Sequence, residues 1–322
     1  MPRQITVTTG ARLHFGLLSH GLEGSRRFGG AGVMIDSPGF ELCVEPAERT
    51  TCEAPDWVTK RVEGFVTAYR QNCWSKRPPR GCRIWVRRCV PAHVGLGSGT
   101  QLGMAVARAL SLLDGGVDAD PVELAKCVGR WLRSAVGVHG FGYVGVIGDA
   151  GKTDETSIGS VLQRVDFPSS WRFLLVAPHG VSGVSGQAER EAFGRLPPMS
   201  QATTDQLRQV LLQELLPSVA EADFDRCGAA LQCYGGIVGE YFAPLQGGPY
   251  AEESMEQLAE HLRQAGRTGI GQTSWGPTLF VLCRNSDDAA ELRDRLLGPG
   301  QWDECEFRIA APLNAGASVA MC

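Results

Sequence analysis

The sequence predicts an α+β fold of two domains, and three observations carry that prediction. Short strands with apolar residues at every second position fill the stretch up to Arg87, helical spacing takes over from Leu102, and a fresh strand starts at Trp171. With 322 residues, 43% hydrophobic and 20% charged, the chain has enough apolar material for two cores of ordinary domain size.

Ile5 and Val7 alternate with Gln4 and Thr6; Phe40, Leu42 and Val44 alternate with Glu41 and Cys43; Ile84 and Val86 alternate with Arg83, Trp85 and Arg87. Each run buries one face. Leu102, Ala105, Val106, Ala109, Leu110 and Leu113 then recur at three- and four-residue steps until Gly115-Gly116 stops them, which reads as a helix. A second helix follows, with Asp120 as N-cap, Pro121 at the first helical position, Glu123 at the capping-box position, and Leu124, Val128, Trp131 and Leu132 on its buried side. The strand WRFLLVAP and the Gly/Ser-rich loop between Pro178 and Gly186 set the domain boundary, giving domains 1–168 and 169–322. Beyond it the pattern predicts helices across Thr204–Ala220, Asp223–Tyr241 and Glu252–Gln264, then a strand at Thr278–Cys283. A helix capped by Ser286 and closed near Gly298 follows, with a last strand at Cys305–Ala310.

Composition narrows the function. The net charge of −4, from 31 Lys+Arg against 35 Asp+Glu, excludes a sequence-independent nucleic-acid binder, which needs surplus cations to displace phosphate counterions. No run of 18 apolar residues occurs, and MPRQITVTTGARLHF alternates like a strand where a signal peptide needs an apolar block. The expectation is a cytoplasmic protein with a small-molecule partner and no membrane. Eleven cysteines never form CxxC, so the common zinc and redox motifs are absent; the odd count predicts reduced thiols, most of them buried as small hydrophobes.

The stretch PAHVGLGSGTQLGMAVARAL, Pro91 to Leu110, lies between a strand and a helix. Gly95, Gly97 and Gly99 let backbone approach a ligand, the helix start turns free N–H groups outward, and Ser98 and Thr100 add hydroxyls for a phosphate oxygen or a phosphate-bound metal. The plainer alternative is a glycine-rich turn with Ser98 as an ordinary cap. Two other glycine patterns fail. Gly140, Gly142 and Gly145 fit G-x-G-x-x-G but lack a preceding strand and a ribose-binding acid, and Gly151-Lys152-Thr153 has Val146 where a Walker A loop needs glycine.

PAHVGLGSGTQL resembles the second motif of the GHMP kinase superfamily, and GIGQTSWGPTLF (Gly269–Phe280) resembles its third. Several further segments resemble one atypical branch, the β-ribofuranosylaminobenzene 5'-phosphate synthases. They are ARLHFGLL, RSAVGVHGFGYVGVIGDAGK, the loop His179–Gly186 with EREAF after it, EYFAPLQGGPYA, GQTSWGPT and LNAGA.

The resemblance implies a two-domain GHMP-kinase-like fold, with an N-terminal ribosomal-protein-like domain, a C-terminal ferredoxin-like domain and ligands between them. It also implies a glycosyltransferase of methanopterin biosynthesis, joining phosphoribosyl pyrophosphate to 4-aminobenzoate or 4-hydroxybenzoate with release of CO2 and pyrophosphate. Mg²⁺ held at Ser98 and Thr100 and a homodimer belong to the same expectation. Gly99 and Thr100 depart from the Ser-Ala pair common in the second motif, which sets the kinase nucleotide geometry aside.

Residue roles follow, each with an alternative. Arg12 and His14 alternate on the first strand and either aim a cation and an imidazole into one cleft or face water. His139 and Asp149 complete the expected catalytic set, though His139 equally suits a core. Gly95, Gly97, Ser98, Gly99 and Thr100 are expected to bind phosphate. Arg26 and Arg27 either clamp a phosphate or carboxylate or stand solvated in their loop. Gln272, Ser274 and Trp275 offer polar groups and a flat surface to a substrate ring. Two other functions fit the family shape: an ATP-dependent small-molecule kinase with Asp149 or Asp154 as base, and a non-catalytic ligand sensor.

Overall fold

The computed structural model describes residues 4–24, 26–73, 81–116, 119–130, 132–143, 145–184, 186–298 and 302–322; Trp131, expected on a buried helix face, lies outside them. The N-terminal sheet is built on a long hairpin of β1 (Ile5–Leu17) and β2 (Gly30–Ala47). β4 (Gly81–Arg88) pairs with β2, and β3 (Thr51–Glu53) runs parallel to β4; β5 (Val146–Asp149) also joins β2, and β6 (Val161–Val165) joins β5. The outer neighbour of β1 is β11 (Ser318–Met321), a strand the apolar alternation did not reveal because its residues are exposed or half-exposed. Helices α1 (Asp56–Asn72), α2 (Ser98–Leu113), α3 (Pro121–Cys127) and α4 (Val136–Gly142) cover this sheet. Asp120 caps α3 as expected, its side chain accepting from Val122 N at 2.8 Å.

The second sheet runs β10 (Cys305–Ala310), β7 (Arg172–Pro178), β9 (Leu279–Cys283), β8 (Ile270–Gln272), all antiparallel. Strand periodicity divides its core. Leu174 and Val176 of β7 pack with α9 (Glu253–Gln264) and α10 (Ser286–Leu296), whereas Phe173 and Leu175 join the larger core with α8 (Phe224–Gln246) and β1. Phe280 bridges the halves, its ring 5.5 Å from Phe15 of β1 and 5.9 Å from Phe173. Between β7 and α8 in the chain come α5 (Gly186–Arg195), α6 (Gln201–Gln209), a π-helical turn at Val210–Leu215 and α7 (Leu216–Ala220), the last three packed on α8. The cap of α10 is Asn285, one residue before the expected Ser286; its side chain accepts from Asp288 N at 2.9 Å.

Two expectations need correcting. The stretch before β4 is not all strand: Val58, Val62, Val66 and Tyr69 share one face of α1, at the three- and four-residue spacing of a helix. Cys73 and Cys127 are not reduced thiols but a disulfide. The ends of α1 and α3 meet in space with a Cα–Cα separation of 5.4 Å, although the two cysteines are 54 positions apart in sequence. Of the free cysteines, Cys227 and Cys283 do behave as buried hydrophobes, and burial pushes each thiol up to about 12. Cys233 and Cys322 are exposed.

Candidate active site

Two glycine-bearing turns are pinned to the same stretch of β1. Arg12 N donates to Leu96 O at 3.1 Å, His14 N donates to Thr273 Oγ1 at 2.9 Å, and Ser274 N donates to His14 O at 2.9 Å. Thr273 Oγ1 in turn donates to Gly95 O at 3.0 Å, and Thr278 Oγ1 to Val94 O at 2.8 Å, so the turn from each domain fixes the other. Gly97 caps α2 in the left-handed conformation (φ 73°) with no side-chain cap. A Cβ there would stand 2.7 Å from Arg12 Cγ, so glycine serves both the turn and the passage of the arginine.

These turns edge a cavity of about 550 Å³. Arg12, Arg61, Arg130, Arg133 and Arg190 line it, and Glu189 is the only carboxylate among its described lining residues. That carboxylate is committed: Arg133 Nη2 donates to Glu189 Oε2 at 2.6 Å. Arg61 Nη2 donates to His93 Nε2 at 3.1 Å, and Arg130 Nη2 donates to Thr100 Oγ1 at 3.3 Å. Arg12 Nη1 is buried with no hydrogen-bond partner. Burial brings Arg12 down to about 10, with Glu189 opposing and Arg133 and Arg130 adding to the fall; Arg130 drops to about 10 through burial and then repulsion from Arg133 and Arg61. Aromatic rings make up another part of the lining. Trp275 packs 4.6 Å from Phe242 and 5.1 Å from Phe193, and the Arg133 guanidinium lies 5.4 Å over the Phe193 ring.

His14 also lines the cavity, and a chain of hydrogen bonds stands behind it. His14 Nε2 is 2.9 Å from Ser134 Oγ, which donates to Asp149 Oδ2 at 3.0 Å. Because Ser134 spends its proton on Asp149, it accepts from His14 Nε2–H, which leaves Nδ1 unprotonated. Burial, then Arg12 and Arg133, hold the imidazole well below its usual range, so it is neutral. Burial likewise raises the Asp149 carboxyl, against hydrogen bonds from Gly151 N, Ala135 N and Ser134.

Of the residues expected at a site, Arg12, His14, Gly95, Gly97, Ser98, Gly99, Thr100, Ser274 and Trp275 come together around this one cavity. The others do not line it. Asp149 reaches it only through Ser134. His139 sits in α4 with Nε2 2.6 Å from Gly159 O. Arg26 donates to Gly151 O, Arg27 pairs with Glu155 at 2.9 Å, and Gln272 accepts from Ala251 N at 2.7 Å. Arg61, His93, Arg130, Arg133, Phe193 and Phe242 were not singled out for the site. The amphipathic spacing of α1 could have placed Arg61, and His93, Arg133, Phe193 and Phe242 lie inside the family-like segments; nothing local marks Arg130.

Among the described residues no helix is long and apolar enough to cross a membrane. The chain matches the family models described as GHMP kinases N terminal domain, over residues 60–146, and GHMP kinases C terminal, over residues 216–300. A beta-ribofuranosylphenol 5'-phosphate synthase of Archaeoglobus fulgidus is 28% identical, over 98% of this chain and 99% of that protein. Its counterpart from Methanothermobacter thermautotrophicus is 27% identical, over 92% and 94%. Among solved structures, homoserine kinase from Cytophaga hutchinsonii superposes with a TM-score of 0.71 at 17% identity, covering 99% of this chain and 98% of that one. Mevalonate pyrophosphate decarboxylase from Streptococcus pyogenes gives 0.66 at 15%, covering 97% and 98%. At such identities the two structures speak to the fold alone.

Proposed function

The chain belongs to the GHMP kinase superfamily, and on that premise we propose that it is a synthase of the beta-ribofuranosylphenol 5'-phosphate type. In this reading it condenses phosphoribosyl pyrophosphate with 4-hydroxybenzoate or 4-aminobenzoate, releasing CO2 and pyrophosphate, in methanopterin biosynthesis. The observation that carries the reading is the cavity itself: five guanidinium groups against one committed carboxylate, lined also by the three packed rings of Phe193, Phe242 and Trp275. A site of that composition suits two anionic substrates, one of them a flat ring.

The chemistry asks for positioning rather than a covalent nucleophile. The anomeric C–O bond breaks with its electron pair going to pyrophosphate, and the ring carbon bearing the carboxylate forms the new C–C bond. The C–CO2 bond then breaks and its pair restores the aromatic ring. Arginines and the N–H groups at the start of α2 meet the charge that develops on the leaving group, while Phe193, Phe242 and Trp275 keep water from the ribosyl cation. With a hydroxybenzoate the neutral imidazole of His14, oriented by Ser134 and Asp149, takes the ring hydroxyl proton as the ring attacks and returns it after CO2 departs.

Magnesium enters through the fold family: one solved neighbour, with a TM-score of 0.69 at 16% identity, is described as "MDDEF in complex with MVAPP, AMPPCP and Magnesium". The residues present here do not fit an ion held by the protein. Among the described residues no cluster of three or more His, Cys, Asp or Glu can hold a metal. Thr100, expected as a ligand with Ser98, accepts from Arg130, so its hydroxyl stands beside a cation. Neither aspartate expected as a kinase base lines the cavity: Asp149 is sealed behind Ser134. Asp154 is exposed and held at about 2 by hydrogen bonds from Thr156 and Ser157. Cytoplasmic location and a homodimer belong to the proposal as well.

The test is an incubation of the pure protein with phosphoribosyl pyrophosphate and carboxyl-labelled 4-hydroxybenzoate or 4-aminobenzoate. Labelled CO2 released in step with pyrophosphate is expected. ADP formed from ATP with an alcohol acceptor would put the kinase reading in its place, and ligand binding without any turnover would favour a sensor.

A further inference from the structure

We infer that the pyrophosphoryl group is seated by the guanidinium groups of Arg12, Arg61 and Arg130 around the start of α2, with no divalent ion held by the protein. The inference rests on the synthase reading above. The three arginines come from separate elements: β1, α1 and the turn after α3. They converge on one short stretch of backbone. A Cβ on Gly99 would lie 2.9 Å from Arg130 Nη2 and 3.2 Å from Arg61 Nη1, and a Cβ on Gly97 would lie 3.2 Å from Arg12 Nε. Glycine at both positions leaves the guanidinium groups room to close over the helix start.

Like charges brought so close repel, and the one carboxylate among the described lining residues relieves them only in part. Glu189 is held by Arg133, and the partners of Arg61 and Arg130 that line the cavity are neutral, His93 Nε2 and Thr100 Oγ1. Arg12 Nη1 has no partner at all. A multiply charged anion would satisfy the whole set at once, and guanidinium forks match phosphate oxygens in pairs. The N–H groups of Ser98 and Gly99, at the positive dipole end of α2 ahead of the Thr100 N–H that donates to Gly97 O, favour an anion there too. A Mg²⁺ ion in this place would meet cations and hydroxyls and no free carboxylate, the reverse of the hard oxygen set it prefers.

The pyrophosphoryl group of phosphoribosyl pyrophosphate and the tail of a nucleotide share this chemistry, so the test keeps them apart. The full-length protein is titrated calorimetrically with inorganic pyrophosphate in excess EDTA, and again with Mg²⁺. Binding in EDTA is expected, with Arg61→Gln and Arg130→Gln each weakening it by about tenfold or more, as for a lost charge-assisted hydrogen bond. Arg208→Gln, on α6 and outside the cavity, should leave it unchanged. Thermal melts confirm that the variants are folded, and Arg61, on the half-buried face of α1, serves if Arg130→Gln fails. Phosphoribosyl pyrophosphate should bind more tightly than ATP in the same buffer. Pyrophosphate binding that requires Mg²⁺, or tighter binding of ATP, overturns the inference. Metal-free binding without release of labelled CO2 keeps the arginine seat and removes the synthase reading; turnover with metal-dependent binding does the opposite.

Discussion

The two walls of the cavity are built on opposite principles. The arginine wall, from β1, α1 and the turn after α3, brings cations together and leaves Arg12 Nη1 without a partner. The aromatic wall, from α5, α8 and the turn at Ser274–Gly276, is closed on itself: Phe193, Phe242 and Trp275 contact one another edge to face or tilted, and each is at most 9% exposed. One wall is finished by folding and the other only by a ligand. Substitutions should therefore separate stability from binding according to the wall they touch.

The largest effect is expected at the floor of the arginine wall. Gly97→Val demands positive φ from a branched residue and drives a side chain into Arg12, so phosphoribosyl pyrophosphate binding should be abolished while the fold persists. Calorimetry on a variant with a normal melting curve checks this; undiminished binding would move the phosphate seat elsewhere.

On the aromatic wall Phe242→Ala should act on both quantities. Deleting a buried ring costs about 3–5 kcal/mol of stability, and the KM for the aromatic acid should rise while phosphoribosyl pyrophosphate affinity holds. A denaturant titration paired with initial rates would expose the idea as wrong if stability fell and the KM did not move.

Arg12→Ala is the sharpest contrast with that result. Losing charge-assisted contacts to substrate should slow turnover by about 10- to 100-fold, yet the melting temperature should stay level or rise because a buried guanidinium whose Nη1 has no hydrogen-bond partner is removed. A variant that melts early would mean Arg12 is part of the scaffold.

The smallest effect concerns His14, which joins the walls. Its folded pKa lies below the ordinary value of 6.5, so below that pH the unfolded chain takes up a proton that folded His14 refuses. Its contribution is intact above pH 6.5 and declines as the pH falls, by at most about 1.4 kcal/mol per pH unit. Urea midpoints measured from about pH 5.5 to 7.5 should slope less in His14→Gln than in the parent. Parallel curves would show that His14 titrates freely.

What could be read from the sequence follows the same division. Arg12, His14 and the turn Gly95–Thr100 were visible because strand alternation and glycine spacing are local signals. Arg61, Arg130 and Phe242 carry no such signal: each is an ordinary residue of a helix or its following turn until tertiary packing brings it to Gly99 or Trp275. Asp149 and His139 stand in equally suggestive glycine-rich sequence, yet folding turns both away from the cavity, and only packing could reveal that. The Cys73–Cys127 bridge was hidden for the same reason, since no spacing rule spans α1 to α3. Strand β11 was missed because one exposed edge strand has no apolar face to betray it.

That strand has a consequence for the order in which the molecule can be made. β1 carries Arg12 and His14, but the residues that close its outer edge, Ser318–Met321, leave the ribosome after every strand of the second sheet. During vectorial synthesis β1 must wait with unpaired N–H and C=O groups along that side, a template for stray pairing until the closing segment arrives. The Ile5–Thr8 end of β1, made first, is thus paired last, and a nascent chain stalled before residue 318 would keep that edge open.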